Sequence, residues 1–204
     1  TGTRALRVCE SGLMAGATSP ARPWFRLATA DPDLNKFYPV KLWLDDVKRR
    51  MQSVFARSNT YRALHQIYGE LAAFGTSVSL VMPDFQNVIQ HHLLTVGEYC
   101  IAADYKGHVD CIYREFEMTV AQMVKEFGIE NCSTQVEEQW RRGNLDSWIT
   151  VIHAIEPRED RDQSKLDDMN MPFRSCYFEI GADHNKYLRE SGFRRCPALV
   201  PRWS

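Results

Sequence analysis

Between Ser58 and Met82 the chain changes its hydrophobic period once, and that change requires a helix to deliver the polypeptide straight into a sheet. Over Asn59 to Phe74 the apolar residues Tyr61, Leu64, Tyr68 and Leu71 recur at helical spacing, and Ser58 or Asn59 stands where an N-cap side chain is wanted. Gly75 suits the left-handed conformation that closes such a helix, because it carries no Cβ to clash with the preceding turn. Ser77-Val78-Ser79-Leu80-Val81 then alternates small polar with apolar side chains, the pattern of a half-buried strand.

The flanking segments extend the same grammar. Residues 4–14 predict a short helix stopped at Gly12 or in the Gly16 to Pro23 region, where two prolines impose an extended path. Trp24 and Phe25 follow directly and must be buried, either as a loop anchor on the core or as a subunit contact. After Pro39 a second helix is predicted over Val40 to Arg57, with Val47, Met51 and Val54 inward and Lys48-Arg49-Arg50 on a solvated face balanced by Asp45 and Asp46. A turn at Pro83 to Asn87 precedes a strand over 88–94.

Strands over 96–103 and 108–118, joined by Asp104-Tyr105-Lys106-Gly107, predict a hairpin with Gly107 in a left-handed position. Pairing Asp104 with His108 places Ala103 opposite Val109, Ile101 opposite Cys111, Tyr99 opposite Tyr113, Cys100 opposite Ile112 and Glu98 opposite Arg114. Thr119 caps a helix that ends at Gly128. Another starts near Ser133 or Thr134, with Glu137 completing a capping box, and ends at Gly143. Strands over 147–155 and 175–180 flank a charged loop over 157–168. The fold class is therefore α+β, with helices packed on a mostly antiparallel sheet built from hairpins.

Chemistry is hard to find in this pattern. Among 204 residues, 25 basic residues balance 26 acidic ones, which argues against a protein that grips nucleic acid through its phosphates. The six cysteines form no CxxC pair or zinc-knuckle spacing and suit reduced thiols with no disulfide and no zinc. His91-His92 are adjacent on a strand and point to opposite faces, so they make a poor metal pair. No apolar run approaches the roughly 20 residues of a bilayer-spanning helix, and no GxSxG, Walker, GxGxxG or HExxH motif occurs. The one enzymatic alternative is a cysteine-dependent hydrolase using Cys100 or Cys176 with His153. Both ends of the chain read as cut.

Several segments carry a family resemblance. Ser11-Gly12-Leu13, Thr18-Ser19-Pro20 and Pro23-Trp24-Phe25 come first, then Phe74-Gly75-Thr76 and the Asp104 to Gly107 hairpin. Gln122 to Phe127-Gly128, Val151-Ile152-His153 with Pro157-Arg158, Glu190-Ser191-Gly192-Phe193, Pro197 and Pro201-Arg202-Trp203 complete the series. In this order and at these intervals, over nearly the whole chain, they resemble the head-to-tail connecting (portal) proteins of short-tailed bacteriophages. The resemblance implies one wing-like region over 1–204, with stem, clip and crown lying beyond it in a longer protein. It implies a non-enzymatic structural subunit without a cofactor, made in the bacterial host cytoplasm and placed at the portal vertex of the virion. It further implies a homo-oligomer, a dodecameric ring, that meets terminase, tail or adaptor proteins and the capsid. Double-stranded DNA passes through such a ring without sequence-specific binding, and no membrane is involved. Candidate subunit or core contacts are Pro23, Trp24, Phe25, Phe74, Gly75, Thr76, Arg202 and Trp203. A wing that lacks stem and crown is expected to run as a monomer or small oligomer.

Overall fold

The structure, a computed structural model, describes residues 1–182 and 186–203. The chain divides into two compact units, one formed by Thr1–Val96 with the segment from Ala198 onward, the other by Gly97–Pro197.

The first unit opens with helix α1, Gly2–Ala17. Of its two expected stops it passes Gly12, which faces open space and is tolerated within the helix, and it ends in the second, the Gly16 to Pro23 region. The end comes at Thr18, whose N–H donates to the Met14 carbonyl at 3.2 Å and whose hydroxyl lies 2.9 Å from that of Tyr68. Helix α2, Tyr38–Arg57, begins before Val40 since Pro39 occupies the first turn, where a missing N–H costs nothing. Helix α3, Thr60–Phe74, starts after Asn59 and stops at Gly75 with φ of 76°, in the left-handed region as expected. Its buried row is Thr60, Ala63, Ile67 and Leu71, shifted from the predicted stripe, of which only Leu71 is fully buried. Tyr61, Leu64 and Tyr68 flank that row at half burial, and the two tyrosines direct their hydroxyls to Trp24 and Thr18.

Helix α3 delivers the chain into strand β1, Val78–Asp84, which pairs antiparallel with β2, Val88–Leu94, from Val78 opposite Leu94 to Asp84 opposite Val88. The half-buried expectation for this strand fails: Ser77, Val78, Ser79 and Leu80 are all buried. The serines tolerate burial because each hydroxyl has a partner, Ser77 donating to a Glu70 carboxylate oxygen at 3.0 Å and Ser79 lying 3.3 Å from His91 Nδ1. The strand also runs through Pro83, so the turn begins only at Phe85.

The second unit is a five-stranded antiparallel meander: β3 Tyr99–Ala103, β4 Val109–Thr119, β5 Trp148–Pro157, β6 Phe173–Glu179 and β7 Arg189–Phe193. Its first turn is as predicted, with Gly107 at φ of 83° and the Asp104 N–H donating to the His108 carbonyl at 2.8 Å. Ala103 faces Val109 as expected, but a bulge then shifts the register, so that Cys111 faces Ala102, Ile112 faces Ile101, Tyr113 faces Cys100 and Arg114 faces Tyr99. The extra residue keeps Ile112, 1% exposed, on the inner face of the sheet. That face is covered by helix α4, Val120–Phe127, and helix α5, Thr134–Arg141. Val120, Met123, Phe127, Cys132, Val136, Val151 and Leu188 form its core.

Helix α4 is closed by a capping box between Thr119 and Gln122, and it ends at Gly128 as predicted. For α5 the N-cap is Ser133, which puts Glu137 one residue too far along for a box. Ser133 is instead held by the buried Glu179, whose carboxylate accepts from its N–H at 2.8 Å and its hydroxyl at 2.5 Å.

The end of the chain returns to the first unit, where β8, Ala198–Leu199, adds to the free edge of β1 with Ser79 opposite Leu199 and Leu80 opposite Ala198. Two residues of strand carry almost no periodic signal, so the pattern of the sequence predicts none there.

Candidate functional site

The candidate residues are judged by what they touch. Trp24 stacks on Phe55 of α2 with ring centroids 6.0 Å apart, and Phe25 meets Trp24 edge-on at 4.8 Å. The Trp24 indole N–H donates to the Tyr61 hydroxyl at 3.4 Å. These contacts tie the segment after Pro23, itself exposed, to α2 and α3, and they leave both rings half-buried where full burial was expected.

The other five candidates come together from opposite ends of the chain. Thr76 bridges Arg202, the Trp203 N–H donates to the Gly75 carbonyl at 2.9 Å, and the Ser77 N–H donates to the Pro201 carbonyl at 3.3 Å. Phe74 and Trp203 remain 62% and 60% exposed on either side of this junction, far more open than aromatic rings with a settled place in a core. The junction therefore combines a backbone clasp with uncovered aromatic surface.

Sequence reasoning missed a larger set of uncovered apolar side chains. A 3₁₀ turn at Leu34–Lys36 leads into α2, and Leu34, Phe37, Tyr38, Leu42 and Trp43 are all 47–68% exposed. None of the 20 residues of α2 is fully buried. The only available signal was that Tyr38 and Leu42 lie four apart, opposite the inward stripe of Val47, Met51 and Val54.

The balanced total charge conceals a second feature. The first unit holds 12 basic against 7 acidic residues, a net of +5, and the second holds 13 against 19, a net of −6. In the first unit Asp33, Asp45 and Asp46 are paired with Lys36, Lys48, Arg49 and Arg50, while Arg4, Arg7, Arg26, Lys41, Arg57 and Arg62 stand exposed.

Neither Cys100 nor Cys176 meets His153. His153 lies opposite Tyr177, with the rings stacked at 3.9 Å, and its Nε2 is 2.9 Å from the Ser175 hydroxyl. Cys176, next to Tyr177, therefore points to the other face of the sheet, as does Cys100, which lies opposite Tyr113. Burial pushes the thiols of Cys111, Cys132 and Cys176 up to about 11, so they are protonated and poorly nucleophilic at neutral pH. His91 is buried beside Ser79 while His92 is exposed, as expected for neighbours on a strand. Among the described residues no cluster of three or more His, Cys, Asp or Glu could hold a metal ion.

Comparison with known proteins places these observations. The family described as bacteriophage head to tail connecting protein matches residues 1–204. The chain is 61% identical over its whole length to a probable portal protein of Bordetella phage BPP-1, of which it covers 37%. It is 50% identical over 203 residues to the portal protein of Salmonella phage epsilon15, of which it covers 36%. The chain thus spans little more than a third of the length of these relatives. With a match that runs from its first residue to its last, the chain belongs to the bacteriophage head to tail connecting protein family.

Proposed function

We propose that this chain is the wing portion of a phage portal subunit, a structural part of the ring at one capsid vertex through which DNA is packaged and ejected and to which the tail attaches. The observation that carries the reading is identity of 61% and 50% to two phage portal proteins along the entire chain. The ring is a homo-oligomer, a dodecamer by family resemblance, and its partners are terminase, tail or adaptor proteins and the capsid. Double-stranded DNA passes without sequence-specific contacts. The subunit is made in the host cytoplasm and resides in the virion.

The physical features fit a part that works by being assembled. A 20-residue helix without one buried residue, and aromatic rings left open at Phe37, Tyr38, Trp43 and Trp203, are surfaces that a monomer has no use for. The hydrolase alternative has no comparable support, since Cys176 and His153 lie on opposite sheet faces. Electron microscopy of the full-length protein carrying this chain tests the reading. Closed rings with a central channel are expected, and a protein that stays monomeric under all conditions refutes it.

A further inference from the structure

The two sheets end in β2, β8, β3 and β7, and an open strand edge is a ready template for another strand unless something blunts it. Three of these edges are blunted. Asn59 occupies both backbone groups of His91 on β2, at 2.8 Å each. Strand β8 is two residues long and lies between Pro197 and Pro201, which have no N–H to offer. Strand β7 carries Arg189 and Glu190, and the 3₁₀ turn Asp168–Asn170 lies against Gly192. Among the described residues β3 has no such device. Its residues Tyr99-Cys100-Ile101-Ala102-Ala103 include no charge and no proline, and Cys100, Ala102 and Ala103 are exposed. The extra residue of the bulge, Asp110, belongs to β4, so β3 itself stays regular.

The ladder fixes which backbone groups of β3 turn outward. The Glu115 N–H donates to the Glu98 carbonyl at 3.0 Å and the Asp104 N–H to the His108 carbonyl at 2.8 Å, so these are hydrogen-bonded pairs. Bonded and non-bonded pairs alternate along an antiparallel ladder. Ile101, opposite Ile112, and Ala103, opposite Val109, therefore point their N–H and C=O away from β4. An edge of this kind recognises an extended backbone. Charge then selects what that backbone carries. Glu98 and Glu115, directly opposite each other, and Glu117, two residues further on, are exposed on one face of the sheet. Like charges so placed repel, and among the described residues none of the three is in an ion pair. Arg114 lies on the other face with His153, over the Phe116 ring. A second β3 laid antiparallel about Ile101 would set Glu98 of each copy beside Asp104 of the other, again like against like.

We propose that the outer edge of β3 takes up an extended segment of another protein, with lysine or arginine side chains on the Glu98 face and apolar side chains on the Ile101 face. The added strand hydrogen-bonds to Ile101 and Ala103. Its basic side chains lie beside Glu98 and reach across the small residues Cys100 and Ala102, and its apolar ones extend the row begun by Ile101 and Ile112. The contact goes beyond the portal reading and does not depend on it.

The probe is a short synthetic peptide that alternates lysine with valine, added to the chain at millimolar concentration and followed by amide hydrogen exchange in NMR spectra. Exchange at Ile101 and Ala103 is expected to slow at least tenfold at saturation, while Cys100, whose N–H already belongs to the ladder, changes little. A peptide alternating glutamate with valine should bind at least tenfold more weakly. Ala103→Pro removes an N–H that β4 does not use and should weaken binding of the lysine peptide at least tenfold. Glu98→Lys, which relieves the repulsion with Glu115, should fold at least as well as wild type and lose the preference for lysine over glutamate. Circular dichroism and thermal melting check that both variants fold. The proposal is overturned if the lysine peptide leaves Ile101 and Ala103 exchanging as before, if Ala103→Pro folds and binds like wild type, or if the preference survives Glu98→Lys. Protection of the same two amides that rises with protein concentration in the absence of peptide also overturns it, because the edge is then taken by a second copy.

Discussion

The carbonyl of Gly75 accepts a hydrogen bond from the backbone N–H of Trp203 at 2.9 Å, joining the end of α3 to the last residues of the chain. Gly75 holds this geometry at φ of 76°, where an L side chain is strained, and a Cβ would also lie 3.9 Å from Trp203 Cδ1. Gly75→Val should therefore cost on the order of 1–2 kcal/mol or more. Gly97, expected within a strand, lies before β3 at φ of 106°, so Gly97→Ala is expected to destabilise as well. Gly12→Ala, in the open interior of α1, should instead stabilise by up to about 1 kcal/mol. Urea midpoints for the three variants check the order; a Gly12 variant less stable than the Gly75 variant contradicts it.

Asn59 makes the second testable contact. It stands at the N-cap of α3 but caps nothing: its amide N–H donates to the His91 carbonyl and its oxygen accepts from the His91 N–H, both at 2.8 Å. The side chain thus acts as a one-residue strand on the outer edge of β2. Asn59→Ala should cost about 1–3 kcal/mol by leaving both backbone groups without this partner. Asn59→Asp is expected not to rescue it, because a carboxylate can accept but cannot donate. Equal stability of the Asp variant and wild type would show that the clamp is not what holds this edge.

These two residues mark how far the sequence could be read. The α3 boundary at Gly75 was legible because conformational need and residue type coincide there. Asn59 was equally visible, yet its partner, 32 residues away, is fixed by tertiary packing. The hairpin turn at Asp104 to Gly107 was legible from local turn chemistry, whereas the bulge after Ala103 was set by the demand that Ile112 face the core. Trp24 and Phe25 announced themselves as aromatics after a proline. Their partner Phe55 did not, since any apolar residue on α2 would have met the same pattern. The exposed apolar side chains of α2 were hidden for a different reason: periodicity identifies apolar residues but does not say that a neighbour is missing.

Buried His91 gives a pH dependence with a definite sign. Burial, and then the charge of His92, hold its pKa below the ordinary histidine value. The unfolded chain therefore binds this proton more readily than the fold does, so the contribution is present in full above about pH 6.5 and is lost as pH falls below it. Urea midpoints should drop between about pH 7.5 and about pH 5.5, a window above the carboxylate range. His91→Gln, which can still meet the Ser79 hydroxyl, should show a smaller drop. An identical drop in the variant assigns the effect to other groups.

The last prediction concerns Gly192, where no unusual φ is involved and only space decides. Gly192 sits in β7 opposite Arg174, and the 3₁₀ turn Asp168–Asn170 lies directly against it. A Cβ built there would meet the Met171 Cβ at 2.6 Å and the Phe173 carbonyl oxygen at 3.0 Å, and it would also clash with the Asp168 carbonyl oxygen. Two of these three neighbours are backbone, which cannot swing aside as a side chain can. Gly192→Ala must therefore displace either β7 or the 3₁₀ turn, at about 1–3 kcal/mol for overpacking of this kind. The turn is the weaker of the two, since β7 is paired to β6 over five residues and the turn belongs to the charged loop after Pro157. Limited proteolysis should then cut the variant within 158–171 faster than wild type, while Gly12→Ala, with nothing within 4 Å of its Cβ and an ordinary helical backbone, should leave that cleavage unchanged. Equal cleavage rates for the Gly192 variant and wild type would mean that the strand, and not the loop, absorbs the added methyl group.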